Sequence, residues 1–320
     1  MLFKILIGFL SLCLMALNQT KAQQYPSENV FIVAPFPPGG TTDLIAREVA
    51  ARLTGLLGTT VVVDNRIGGS GIVGTDYVAR SKPDGHRLLM AGSPHSINNS
   101  LRKNIPYDPV ASFEPISLLL VLPQVLAVHS SLPVNSAQEF IEFARKNPNA
   151  LRCGVVPAGS SELAAAMLST KANIAITHVP YRGDAPVIND LVGGHIDCFI
   201  GIANQVLPHI QAGRMRALGV TSRERLEVLP NIQTLIEAGV PDYEASSWNG
   251  VFAPAGTPAS IIAKLETALL EIGRDPAFRA RWVAIGALVP AGDRNRLRNF
   301  LAEEIARWKA VIEATGIKSD

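Results

Sequence analysis

Residue types that could bind or transform a small molecule gather first at Val30–Asp43, which reads VFIVAPFPPGGTTD. Val30–Val33 is an apolar run of the kind expected in a strand buried on both faces. Pro35, Pro37, Pro38, Gly39 and Gly40 end it, because proline lacks an N–H and glycine frees φ. Thr41 or Thr42 can cap the helix that follows. Asp43 falls in its first turn, and Ile45, Val49, Leu53 and Leu56 recur at helical spacing. Such a loop aims free N–H groups and the positive end of a helix dipole at one spot, which is the chemistry of an anion site. It holds no Lys, Arg, Ser, Cys or His, so it can bind a carboxylate without attacking it. An ordinary strand-to-helix turn that binds nothing is the competing account.

Other patterns exclude more than they assign. Asn65–Gly71 is a second glycine-rich loop, and Gly69–Gly74 matches GxGxxG. A dinucleotide site needs its first glycine in the tight turn after the strand, whereas residues 65–68 intervene after Asp64. The next strand, ending Met90-Ala91-Gly92, also lacks an acid for a ribose, so no cofactor is expected. The six histidines form no HxH, HxxxH or HExxH pattern, and no metal site is expected. An exported α/β hydrolase would need a GxSxG nucleophile elbow, and the chain contains none.

A scaffold must bring these loops together. Residues 1–22 read as an export signal: Lys4, the apolar run Ile5–Leu17, and Thr20-Lys21-Ala22 as a small-residue cleavage site, with the mature chain starting near Gln23. The run is too short for a membrane anchor, and Leu12 before Cys13 does not suit a lipoprotein signal. The whole sequence has 29 Lys+Arg against 27 Asp+Glu; losing Lys4 and Lys21 leaves 27 against 27. That balance favours neither nucleic acid nor an anionic membrane as partner. With 48% apolar residues the chain can bury a large core, and its length fits two domains.

The first half alternates strand and helix: Val61–Asp64 a strand, Gly71–Arg80 a helix, Arg87–Met90 a strand, and Ala91–Ser96 a loop. The loops after the three strands lie at the same ends of parallel strands, where open α/β sheets bind ligands. Phe113–Leu122 leads through Pro123 into Val125–Val128, where a second such series begins. Its helices are expected at Asn135–Lys146, after Ser161, after Pro186 and at Ile202–Gln211. Its strands are expected at Leu151–Val156, Ile174–Val179, Ile196–Ile200 and Arg216–Val220. Ser160 or Ser161 is an N-cap, or part of a second anion-binding helix start. Arg223–Gly239 reads as a surface helix and Tyr243–Phe252 as a strand. The remainder is helical, with Leu297, Leu301, Trp308 and Ile312 on one face and Gly316 as the stop. Cys153 and Cys198 fall on the first and third strands of the second series. A 2-1-3 strand order makes them neighbours, and strain in a bridged parallel ladder favours free thiols over a disulfide.

Five stretches, in order behind the export signal, carry a resemblance: APFPPGGTTDLIAR, VVVDNRIGGSGIVGTDYVARSKPDGHRLLM, VPYRGDAPVINDLVGGHID, LPHIQAGRMRALGVTS and WNGVFAPAGTP. The sequence resembles the substrate-binding proteins of tripartite tricarboxylate transporters, the Bug family, over nearly the whole mature chain. The resemblance implies an α/β, two-domain periplasmic-binding-protein fold of type II-like kind, each domain a mostly parallel sheet with helices on both faces. The divisions expected are 1–22 signal, 23–123 first domain, 124–243 second domain, and 244–320 returning to the first. It also implies a periplasmic, monomeric receptor without catalysis, closing on a small carboxylated solute and serving a tripartite tricarboxylate-type permease. A domain presenting its closed form to a sensor is the variant of that account.

The candidate ligand residues are Phe36, Pro38, Gly39, Gly40, Thr41, Thr42, Ser70, Ser93 and Ser96 on the first half. On the second they are Ala158, Gly159, Ser160, Ser161, Tyr181, Asp184 and Gly201. Three positions depart from the family's usual pattern: Ile67 replaces a proline, Phe199-Ile200-Gly201 stands where a strand usually ends in Asp, and Asp184 replaces a small neutral residue. Asp184 is either a first-turn acid favoured by the helix dipole or the fixed charge facing a cationic ligand group.

Overall fold

The computed structural model describes residues 25–157 and 159–317; the export signal and the candidate Ala158 lie outside them. Strand β1 (Val30–Ala34) leads into helix α1 (Thr41–Leu57), then β2 (Val61–Asn65), α2 (Ile72–Ala79), β3 (Arg87–Gly92) and α3 (Pro94–Leu101). β1 is central and parallel to both β2 and β3. Val30, Ile32 and Ala34 enter one apolar layer and Val33 the opposite one, the period of two that needs cover on both faces. α1 covers the first face with Ile45, Val49 and Leu53, and Gly58 ends it in the left-handed region at φ 68°.

The hub of the molecule is β4 (Phe113–His129), 17 residues and therefore roughly 55 Å long. Its first half pairs antiparallel with β9 (Ser246–Pro254) in the first sheet. Its second half pairs antiparallel with β7 (Cys198–Ile202) and β8 (Met215–Val220) in the second. Register slips at Pro115/Ser117, Leu118/Leu120 and Leu126/Ala127 add local twist, which lets one strand serve two sheets. The second unit comprises α4 (Ala137–Lys146), β5 (Arg152–Val155), α5 (Ser160–Ala172), β6 (Thr177–Pro180), α6 (Asp184–Val192), β7, α7 (Ala203–Gln211) and β8. β5 lies between parallel β6 and β7, the 2-1-3 order expected. The full order is β2-β1-β3-β9-β4-β7-β5-β6, with β8 against β4. Cores lie on both faces of each sheet, as Leu126 and Val128 on one side of β4 and Val125 and Ala127 on the other show.

The chain recrosses between the units beside the middle of β4. Thr221 Oγ1, fully buried, accepts from the Gln124 N–H at 2.7 Å and lies against the carbonyls of Gln124 and Ala245. This hydroxyl ties the two strand crossings together. After β9 come α8 (Ala259–Arg274), α9 (Pro276–Val283) and α10 (Arg294–Thr315).

Several expectations are corrected. Arg223–Gly239 is a series of turns, not a helix: Pro230 interrupts it, and Leu226, Leu229 and Leu235 are buried against the second unit. Ala91–Ser96 is not a plain loop, because α3 starts at Pro94. The N-cap of α1 is Gly40 rather than Thr41 or Thr42, and that of α5 is Gly159 rather than a serine. Cys153 and Cys198 form a disulfide; they are register partners with Cα atoms 4.5 Å apart, close enough to be joined without moving the strands. Residues 244–320 do not all pack with the first unit. Leu297 and Leu301 of α10 enter its core, but Trp308 and Ile312, two to four turns on, enter the core of the second.

Candidate functional site

At the carboxyl end of β1 the chain turns through Pro35–Gly40 and starts α1. Gly39 adopts φ +85°, open to glycine at little cost, and Asp43 reaches back under the turn. Its carboxylate accepts from the Gly39 N–H (2.9 Å), from Arg47 Nε (2.9 Å) and from Asn65 Nδ2 (2.9 Å). Asn65 also donates to the Phe36 carbonyl at 3.1 Å. Burial pushes the Asp43 pKa up, but the donors on Arg47, Gly39 and Asn65 outweigh it and hold the carboxyl below its ordinary range. The Gly39 N–H is therefore used by the protein itself. What the turn offers outward is the exposed Gly40 and the hydroxyls of Thr41 and Thr42.

The neighbouring strand ends add to this wall. Asn249 on β9 donates to Thr42 Oγ1 (3.1 Å) and to the Ala91 carbonyl (3.3 Å). Ser93 Oγ donates to Ser247 Oγ at 3.2 Å. Ser96, fully buried, donates instead to the Ser93 carbonyl (2.8 Å) and is turned into its helix. Ser70 occupies the left-handed region (φ 55°, ψ 41°), rare for a side-chain-bearing residue. Its carbonyl accepts from Asn98 Nδ2 (3.2 Å) and its hydroxyl from Arg102 Nη2 (3.3 Å). The Phe36 ring lies beneath Gly71, where an added β-carbon would come within 3.3 Å of it. Behind these loops His95 is buried among Tyr107, Phe113, Trp248 and Phe252, and Nε2 donates to the Pro109 carbonyl at 2.9 Å. Burial lowers its pKa to about 4, so the ring is a neutral packing element.

The opposing wall comes from β5, β6, β7 and the middle of β4. Gln124, 1% exposed, donates through Nε2 to Ser160 Oγ at 3.3 Å. Ser161 is buried and accepts from the Val156 N–H (3.0 Å), so it closes the turn rather than facing outward. Gly159 N–H donates to the Val156 carbonyl in the same turn. Tyr181 donates to Asp190 at 2.6 Å, and its pKa rises to about 12 through burial and that bond. Gly201 is buried in β7 opposite Val125, where a β-carbon would collide with the Phe199 ring. Asp184 accepts from Gln205 Nε2 at 3.0 Å. The two walls meet where Asn204 Nδ2 approaches Thr41 Oγ1 at 3.4 Å.

The structure places Thr41, Thr42, Ser70 and Ser93 at strand ends of the first unit and Ser160 and Asp184 at strand ends of the second, joined through the Thr41–Asn204 contact, while Ser96, Ser161 and Tyr181 spend their hydroxyls locally. Sequence reasoning missed Gln124, Asn204, Gln205 and Asn249. One signal was present: Asn204-Gln205 occupies a strand-to-helix junction like those of the glycine loops.

The profile of the "Tripartite tricarboxylate transporter family receptor" matches residues 45–317. The chain belongs to this receptor family. Protein BugT of Bordetella pertussis is 35% identical to it over 300 residues, covering 93% of this chain and 92% of that protein. Among solved structures, R. palustris Rpa4515 with adipate is 35% identical with a TM-score of 0.80, covering 92% of this chain and 99% of that one. The periplasmic binding protein BugD is 33% identical with a TM-score of 0.77, covering 92% and 100%. The receptor accordingly has the two-lobed α/β fold of periplasmic binding proteins. No helix among its described residues is long and apolar enough to cross a membrane.

Proposed function

We propose that this receptor captures a small carboxylate-bearing solute between its two lobes outside the cytoplasm and delivers it to a tripartite tricarboxylate-type permease. The lobes are residues 23–123 with 244–320, save the last turns of α10 that pack on the other lobe, and 124–243, and the export signal is removed near Ala22. The observation that carries this reading is the convergence of strand-end loops from both lobes, with Thr41 and Asn204 in contact. The first-lobe wall is rich in hydroxyls and an exposed helix start, which suits a carboxylate held by neutral donors. Binding without catalysis is supported by the fate of Ser93 and His95 at the end of β3: Ser93 donates to Ser247 and His95 to Pro109, so neither activates the other. The solved structure of Rpa4515 with adipate supplies the solute class by likeness. The receptor acts as a monomer and needs no cofactor.

Thermal-shift screening of the mature protein against mono-, di- and tricarboxylates tests this. A solute at 100 times its Kd adds about 2.7 kcal/mol of stability. Silence across all three classes overturns the reading. Calorimetry on Gly40→Val tests the loop. A β-carbon there meets only the Pro37 carbonyl at 3.5 Å, so the fold is kept while the side chain covers the helix start. Affinity falls more than tenfold; unchanged affinity removes the loop from the site.

A further inference from the structure

The two walls differ in hydrogen-bonding character. The first offers donors, whereas the second ends in acceptors that the protein does not satisfy. Asp184 stands in the first turn of α6, half-buried, and among the described residues no Lys or Arg is paired with it. Its neighbour Gln205 has its amide direction dictated by that carboxylate: an ionised carboxylate only accepts, so the NH2 must face Asp184. Gln205 Oε1 is thereby left buried with no partner. Asn204 Oδ1, on the residue that touches Thr41, is in the same condition. Oε1 of the buried Gln124 on β4 also lacks a partner, but the Gln124 and Asn204 amides face the hydroxyls of Ser160 and Thr41, which donate or accept alike, so only the direction of Gln205 is dictated. A buried acceptor of this kind calls for a donor from outside the chain. Burial raises the Asp184 pKa, as expected of a carboxylate that lacks a cation.

We propose that Asp184 and Gln205 form the recognition site for an ammonium group, so that the solute is a small carboxylate that also carries an amine. An ammonium has three donors and no acceptor, matching the Asp184 carboxylate and the unpartnered amide oxygen of Gln205 beside it. A dicarboxylate would instead set its second charge toward Asp184 and leave that amide oxygen unpaired. This inference rests on the receptor reading and narrows its solute class.

The test uses the full mature protein and matched solutes: glutarate, glutamate and 4-aminobutyrate, and succinate beside aspartate, each titrated by calorimetry. At least one amino-bearing solute binds tenfold or more tighter than the dicarboxylate of the same chain length. Asp184→Asn, which keeps the shape and the first-turn position, weakens that solute by roughly tenfold or more and by clearly more than it weakens the dicarboxylate. Dicarboxylates binding as tightly as or tighter than their amino counterparts overturns this inference and leaves the receptor reading standing. Equal loss for both kinds of solute in Asp184→Asn also overturns it. Binding by neither series, nor by any other carboxylate, overturns both. The wild-type comparison decides the matter even if the variant fails to fold.

Discussion

Asp43 is the residue on which the first-lobe loop depends. In sequence it is an acid in a first helical turn, which dipole preference alone explains. In the structure it is 1% exposed and gathers Gly39, Arg47 and Asn65 beneath the turn. Asp43→Ala removes the acceptor shared by the Gly39 N–H, Arg47 and Asn65, costing roughly 1–3 kcal/mol in denaturant unfolding. Because its folded-state pKa is depressed, the contribution of Asp43 is present above the ordinary carboxylate range and lost as pH falls through the lowered value. The variant therefore unfolds with less acid sensitivity below about pH 4 than the wild type. Residue-scale legibility followed local spacing. Gly39, Gly40 and the threonines announce a loop through their neighbours, whereas Gln124 and Asn249 acquire a role only through strands far apart in the chain. Side-chain amides are common on surfaces, and nothing in their immediate sequence marks these as buried.

At the level of elements, β1–loop–α1 and the parallel β6-β5-β7 order were legible because each rests on short-range pattern and a known winding rule. α3 was not: His95, Ser96 and Asn98 are polar by type yet buried, His95 within an aromatic cluster, so the apolar periodicity that marks a helix is missing. Arg223–Gly239 misled in the opposite sense, with leucines near helical spacing that are buried from successive turns. The disulfide lies in the same class, since whether two neighbouring cysteines are joined depends on strand register. The denatured, unreduced mature protein titrates no free thiol; two thiols per chain would contradict the Cys153–Cys198 bond. The crossing at Thr221 yields a second expectation. Thr221→Val keeps the volume but orphans the buried Gln124 N–H, destabilising by about 1–3 kcal/mol in chemical unfolding. A loss below a few tenths of a kcal/mol would show that the hydroxyl does not hold the crossing.

For the whole molecule, α10, like β4, belongs to both lobes, and its buried acid sets a pH dependence. Glu304 is fully buried, accepts from Trp308 Nε1 at 2.9 Å and contacts Arg307, which bonds Glu244 beside the chain crossing. Burial raises its pKa to about 7, against the pull of Arg307 and Trp308. A raised carboxyl pKa favours the protonated fold, so this contribution is whole below the ordinary value of 4.5 and is lost as pH climbs toward 7. The melting midpoint of the wild type falls across that window relative to Glu304→Gln, which keeps an acceptor for Trp308 and does not titrate. Parallel profiles for the two proteins would refute it. The same helix, 22 residues and about 33 Å long, acts mechanically as a strut. Strands can twist at a hinge, but α10 must bend or withdraw Trp308 and Ile312 from the second core before the lobes part widely. Wide opening therefore exposes apolar surface at about 25 cal/mol per Å2. The empty receptor is biased toward a narrow gape, and a solute has little closure left to drive. Small-angle scattering should accordingly show only a slight contraction on binding, and the affinity of the receptor should lie close to the intrinsic affinity of its closed form.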